Sequence, residues 1–310
     1  MIHEYAVEPE AIATDWARFR YLAEKFGFEK GRLISRFPKK WEASVHEAIK
    51  RSEMRDVERK KAIEKLLAMK RFALVPSRRD FDPNTSWLDN ALAQHKAKPF
   101  NAIISETAVA GSQAVLVAAD LDENTPLFQA TTSWRVLMTN DGFADGVAPL
   151  LCAAKEVMIV DPYFEIISAR YAGPLIAMMQ RMSSAGIAEA NIQIHRKDGG
   201  DYELEVLKAN IQAVFGVNIP EGFSIEVFEW QRRKPGPAFH DRYVLCDCGG
   251  IASHSGFGTN HNGEDVLLTA LPLSEVIELA KRFRLESAAY DLCRSVLCVE
   301  ANGDITQRGA

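Results

Sequence analysis

Apolar residues in the first quarter of the chain recur at helical spacing. Between Pro9 and Leu22, the residues Ile12, Trp16, Phe19 and Leu22 fall three or four apart on one helical face, with Thr14 and Asp15 as capping-type residues near the start. A second helix is predicted from Trp41 to about Lys50 and a third from Asp56 to Arg71. In the third, Val57, Ile63, Leu66 and Leu67 form the expected buried stripe, while Arg59, Lys60, Lys61 and Lys65 face outward. Gly27, Gly31 and Pro38 punctuate the segment between helices. A helical domain over residues 1–80 follows. Residues 81–99, interrupted by Asp82, Pro83, Asn84 and Pro99, read as a connector with a short helix around Trp87 to His95.

From Phe100 the pattern shortens to strand-like runs: 102–104, 114–118 and 134–138. After Gly142 strands and helices alternate. Strands are predicted at 157–160, 192–195, 224–228 and 243–245, with helices from Pro174 to Met182 and from about Glu203 to Phe215. That order implies an α/β fold, a mixed sheet flanked by helices, over residues 100–301, with a short tail at 302–310.

Composition adds little except through its distribution. The chain has 310 residues and a formal net charge of −5. Residues 25–80 nevertheless hold 17 Lys and Arg against 8 Asp and Glu, which marks the helical domain as basic and able to meet a polyanion. No stretch is long and apolar enough for a membrane span, and the N-terminus lacks the pattern of a secretory signal. Five cysteines without a disulfide-like framework fit a reducing cytoplasm.

Candidate chemistry concentrates in Phe239-His240-Asp241-Arg242-Tyr243-Val244-Leu245-Cys246-Asp247. Its alternation predicts a strand with His240 and Arg242 on one face. An imidazole beside a fixed guanidinium suits attack on a phosphodiester, the ring as nucleophile and the cation against the nonbridging oxygens. After Gly249-Gly250 the chain returns to His254-Ser255-Gly256-Phe257-Gly258, where Ser255 and nearby amides could donate to the same phosphate. His254 and Asn260 neighbour that loop, and Asp161 and Tyr163, ending the strand at 157–160, could edge the pocket. Arg232, Arg233 and Lys234 form a basic loop suited to a nucleic-acid backbone. Cys246, Cys248, Cys293 and Cys298 lack zinc-site spacing and read as structural, so no metal site is expected.

The stretch resembles the signature of the phospholipase D superfamily: His, any residue, Lys, four residues, Asp, then six residues to Gly-Ser-any-Asn. His240 matches the His, Arg242 sits at the Lys position, Asp247 at the Asp position, and His254-Ser255 where Gly-Ser is expected. Glu264 is similar to a Glu that small nucleases of this family use to support the catalytic His of the facing unit. The resemblance covers residues 141–301. Arg242, His254 and Phe257 depart from the pattern, the last removing an expected Asn donor for which Asn260 or Asn262 would substitute.

The resemblance implies a phosphohistidine intermediate, no cofactor and no metal requirement. Such sites use two motifs facing each other, and this chain has one; His195-Arg196-Lys197 imitates a second opening but lacks the downstream Ser loop. The expectation is therefore a homodimeric nuclease acting on DNA or RNA, with a place in prokaryotic defence by family analogy. The basic helical domain would add backbone affinity or dock a larger protein partner. The competing expectation is a degenerate domain that binds phosphate groups of nucleic acid or a phospholipid headgroup without cleaving them.

Overall fold

The computed structural model describes residues 2–198, 203–260, 262–287 and 289–309. The fold is α/β, and the chain divides into two compact units, Met1–Thr132 and Ser133–Ala310.

The first unit contains β1 (His3–Val7), α1 (Pro9–Ala13), α2 (Trp16–Lys25), β2 (Arg32–Arg36), α3 (Trp41–Arg51), α4 (Asp56–Phe72), β3 (Leu74–Pro76), α5 (Trp87–Ala97), β4 (Ala102–Ser105) and β5 (Val115–Val117). Its strands form a parallel sheet in the order β3-β2-β1-β4-β5. Alternate residues of β1 feed two cores. Tyr5 and Val7 pack with Phe19, Leu22, Trp41, Val45 and Leu66 from α2 to α4, while Ala6 packs with Phe37, Ile103 and Ala91 of α5. At the reversal of strand order, just past the carboxyl ends of β1 and β4, Glu8 Oε2 accepts a hydrogen bond from the Glu106 amide at 2.8 Å. Burial raises the Glu8 carboxyl above its ordinary range, a shift the hydrogen bond opposes.

This unit corrects the expectation of a helical domain at 1–80. The predicted helices are present, but β1, β2 and β3 lie among them, and β4 and β5 join β1 instead of the later sheet. Five-residue parallel strands with charged ends, such as Arg32 to Arg36, carry little period-2 signal because both faces of their middle are buried. The single helix expected over 9–22 is split, since Asp15 caps α2 by accepting from the Arg18 amide at 2.8 Å. On α4, Leu66 is buried and Ile63 half-buried, but Val57 and Leu67 are 64% and 67% exposed, outside the predicted stripe. The basic charge is partly met within the unit by Arg51–Glu10, Arg59–Asp56 and Lys65–Glu24 pairs, all solvent-exposed and individually weak.

The second unit contains β6 (Ser133–Leu137), α6 (Asn140–Leu151), β7 (Val157–Val160), α7 (Ala169–Ser184), β8 (Ala190–Lys197), α8 (Leu204–Phe215), β9 (Phe223–Arg232), β10 (Arg242–Cys246), β11 (Gly249–Ser253), β12 (Asp265–Leu271), α9 (Leu273–Lys281), β13 (Tyr290–Leu292), β14 (Val296–Glu300) and β15 (Ile305–Arg308). The sheet runs β15-β14-β9-β8-β7-β10-β11-β12-β6, with β13 also on β9. β7, β8 and β9 are mutually parallel, and β10 to β12 and β6 continue antiparallel from β7. A core of Val160, Phe228, Trp230, Phe239, Leu245, Val276, Phe283 and Tyr290 lies on one face.

This arrangement fixes which loops meet. Tyr243 pairs with Val160 and Arg242 with Ser253. Hence the residues after Val160, those before Arg242 and those after Ser253 emerge from one end of the sheet. The residue before β12, Glu264, belongs to that end as well, because Leu268 pairs with Ser253.

Candidate functional site

Strand β10 begins at Arg242, so His240 precedes it, correcting the expected strand from Phe239. The reason is a missing partner. β7 stops pairing at Val160, where Asp161-Pro162 turns the chain away and proline offers no amide. Phe239 is buried against Phe283 and Tyr290, anchoring the segment, and His240 is left exposed. The Tyr163 hydroxyl lies 3.4 Å from His240 Nδ1.

Asp161 organises the surroundings. Its carboxylate is fully buried, with Oδ1 accepting from the Tyr163 amide and Oδ2 from the Phe257 amide, both at 3.0 Å. Burial pushes its carboxyl up, against the pull of those two amides and of Arg242 and Arg170. Arg242 Nε stands 3.9 Å from Asp161 Oδ1, too far for a hydrogen bond, and it is a buried donor without an acceptor. Its guanidinium carbon lies 5.2 Å from the Tyr163 ring centre, and Lys197 Nζ lies 5.7 Å from the same point. Arg242 is thus held by a carboxylate and a ring, with part of its guanidinium exposed to solvent.

The loop after β11 depends on two glycines. A Cβ on Gly256 would meet Asp161 Oδ2 at 2.8 Å, and one on Gly258 would meet Arg170 Nε at 2.8 Å and Tyr171 Cε1 at 3.0 Å. Between them Phe257 is buried edge-on to Phe143 at 5.9 Å. The residue at the expected Asn position is therefore a hydrophobic anchor. Ser255 and His254 are exposed, and the His254 amide donates to the Leu267 carbonyl. Asn260 donates from Nδ2 to Glu264 Oε2 at 2.6 Å, and its Oδ1 accepts from the Asn262 amide. This ties Asn260 and the exposed Glu264 to each other on their own loop. His261 lies outside the described residues.

Other predicted residues fall elsewhere or are already engaged. Asp247 sits in the turn from β10 to β11, at the opposite end of the strand from His240, the strand from Arg242 to Cys246 spanning roughly 14 Å at 3.4 Å per residue. Its Oδ1 accepts from the Lys155 amide at 2.9 Å, a structural tie. Arg232 donates to the Gly236 carbonyl from Nε and Nη2, and Arg233 donates to Asp291, so both brace the basic loop; Lys234 is exposed. His195 is fully buried. Its Nδ1 accepts from Trp230 Nε1 at 3.0 Å, and desolvation drops its pKa from 6.5 to about 3. It is a neutral core residue and opens no second motif.

Lys197, Gly256 and Arg170 are site residues that the motif pattern does not single out. Lys197 belongs to the same imitation motif as His195 and shares its face of β8, but it is the last residue of the strand and is half-buried beside the Tyr163 ring, whereas His195 is enclosed in the core. The Gly256-Phe257-Gly258 spacing is the available signal for a loop pressed against a neighbour.

Among the described residues, no helix is long and apolar enough to cross a membrane. No family model matches the chain. No curated protein matches it in sequence. Among solved structures, the chain matches that of TrmBL2, described as an archaeal chromatin protein showing a novel mode of DNA binding, at 12% identity and a TM-score of 0.26. The match covers 54% of this chain and 55% of that one, so it spans about half the length of each.

Proposed function

We propose that the second unit is a phosphodiesterase of phospholipase D type, working on nucleic acid as a homodimer. The observation that carries this reading is the grouping of exposed His240, whose Nδ1 lies 3.4 Å from the Tyr163 hydroxyl, with Arg242, whose partly exposed guanidinium lies beside the same Tyr163 ring. A guanidinium that is partly exposed beside an imidazole suits contact with a phosphate.

In the proposed reaction, His240 Nε2 attacks phosphorus, forming a P–N bond as the P–O bond to the leaving oxygen breaks. His240 of a second copy protonates that oxygen. It then takes a proton from water, whose oxygen attacks phosphorus and breaks the P–N bond. Arg242 and the Ser255 hydroxyl are placed to offset charge on the nonbridging oxygens. Glu264, steadied by Asn260, is the residue offered to the facing copy. Of the three departures from the resemblance, Arg242 preserves charge and donors, Phe257 gives up a donor for packing, and His254 at the Gly position is exposed.

The test is cleavage of labelled single- and double-stranded DNA and RNA in EDTA by wild type and His240→Ala. Cleavage by wild type alone supports the proposal. Retained binding of these strands with no cleavage by either protein favours a second reading, a module that binds phosphate without hydrolysis. The buried Phe257 is the feature on its side.

A further inference from the structure

The second unit has a cleft of about 400 Å³, lined by Pro162, Tyr163, Glu165, Ile167, Arg196, Lys197, Asp198 and Leu207, that shares Tyr163 with the His240 contact. None of the residues assigned to the reaction above lines it except Tyr163, which is 47% exposed and shared between the cleft and the His240 contact.

The lining decides what fits. Leu207 is 3% exposed, Pro162 is buried and Ile167 is half-buried, giving apolar surface beside an aromatic ring. Lys197 lies against that ring, and its amide donates to the Pro162 carbonyl at 3.2 Å, which fixes the edge where the two strands end. Arg196 is largely occupied, with Nε 3.6 Å from buried Glu229. Glu165 and Asp198 add carboxylates, the latter 3.5 Å from Arg294. Two carboxylates disfavour a phosphate inside the cleft, whereas a flat neutral ring carrying N–H donors suits both the apolar wall and the acceptors. Lys197, in the lining, lies 5.7 Å from the centre of the same Tyr163 ring whose hydroxyl contacts His240, a cation available to a backbone phosphate.

We propose that this cleft is a base-binding subsite for the nucleotide next to the scissile phosphate, and that the substrate is therefore single-stranded nucleic acid. The proposal rests on the phosphodiesterase reading for the cleavage step, but the subsite itself is a binding claim. A paired base cannot enter such a cleft without leaving its stack, whereas a single strand presents its bases freely to aromatic and apolar walls. The cleft does not choose between ribose and deoxyribose.

The experiment is fluorescence anisotropy on the full chain. The probes are labelled ten-residue single strands of DNA and of RNA, the corresponding duplexes, and a reduced abasic strand with the same number of phosphates. Variants are Ile167→Trp, which fills the cleft from a half-buried position, and Lys197→Ala. The expected result is that base-bearing single strands bind about tenfold more tightly than the abasic strand. Ile167→Trp removes that difference while leaving abasic binding unchanged, and Lys197→Ala weakens both strands. Equal binding of normal and abasic strands overturns the subsite, as does a preference for duplex or no binding of any probe. An Ile167→Trp protein that keeps the wild-type preference also overturns it. Hydrolysis of bis(p-nitrophenyl) phosphate, which has no base, is measured in parallel with wild type and His240→Ala. Its absence sinks the phosphodiesterase reading alone and leaves the anisotropy result for the cleft intact.

Discussion

Asp161 and Phe257, 96 residues apart in sequence, are joined by one hydrogen bond: the Phe257 amide donates to Asp161 Oδ2 at 3.0 Å. Through it, the end of β7 sets the height of the loop carrying Ser255. The same carboxylate holds the Tyr163 amide, so the two flanks of His240 and Arg242 share one buried anchor.

That anchor makes Gly256 sensitive. Gly256→Ala places a methyl 2.8 Å from Asp161 Oδ2, and neither the buried carboxylate nor the loop can withdraw freely. We expect a loss of about 1–3 kcal/mol in a urea titration, as for overpacking elsewhere. Gly309→Ala, with nothing near its added carbon, is the control and should fall within about 0.5 kcal/mol of wild type. Equal stability of the two variants would contradict the account of the loop.

Tyr163 has two functions that substitution separates. Tyr163→Phe removes the hydroxyl beside His240 but retains the ring against which Arg242 and Lys197 lie. Under the proposed chemistry, kcat for bis(p-nitrophenyl) phosphate should drop about three- to tenfold with KM little changed, the worth of one modest hydrogen bond. Tyr163→Ala should also raise KM. An unchanged kcat in Tyr163→Phe would remove the hydroxyl from any part in orienting the ring.

His195 gives the fold an acid weakness. Its pKa is about 3 in the folded chain and about 6.5 once unfolding returns it to water. The unfolded chain therefore binds the extra proton first. Stability from the neutral ring is complete above pH 6.5 and is lost as pH falls toward 3. Between pH 7 and pH 5 this amounts to about 2 kcal/mol. His195→Gln, which keeps an acceptor for Trp230, should be less stable at pH 7 yet lose about 2 kcal/mol less on acidification. Parallel pH profiles in urea denaturation would refute this.

How much of this is visible in the sequence differs between the units. The second unit is legible because each strand ends at a strong signal: Asp161-Pro162 after β7, and Gly249-Gly250 before the return to Ser255. The alternation that places His240 on a strand fails by two residues, since alternation persists where a strand has lost its neighbour. In the first unit, helix periodicity is plain, but β1 and β2 are short, buried on both sides and flanked by His3, Glu4, Arg32 and Arg36. A parallel strand of that kind is specified by what covers it, information that lies far away in the chain. The ties that disqualify Asp247, Arg232 and Arg233 as free ligands are likewise contacts with distant or backbone partners.

The carboxylate at the strand reversal of the first unit has its own consequence. Sheets of this order commonly receive anionic ligands in the crevice beyond their strand ends, where neighbouring crossovers part. Here Glu8 occupies that crevice and accepts the Glu106 amide, a donor that would otherwise be directed at a ligand oxygen. A cleft lined by Glu10, Arg51 and Glu106 remains there, so these strand ends present carboxylates where a phosphate would want free amides.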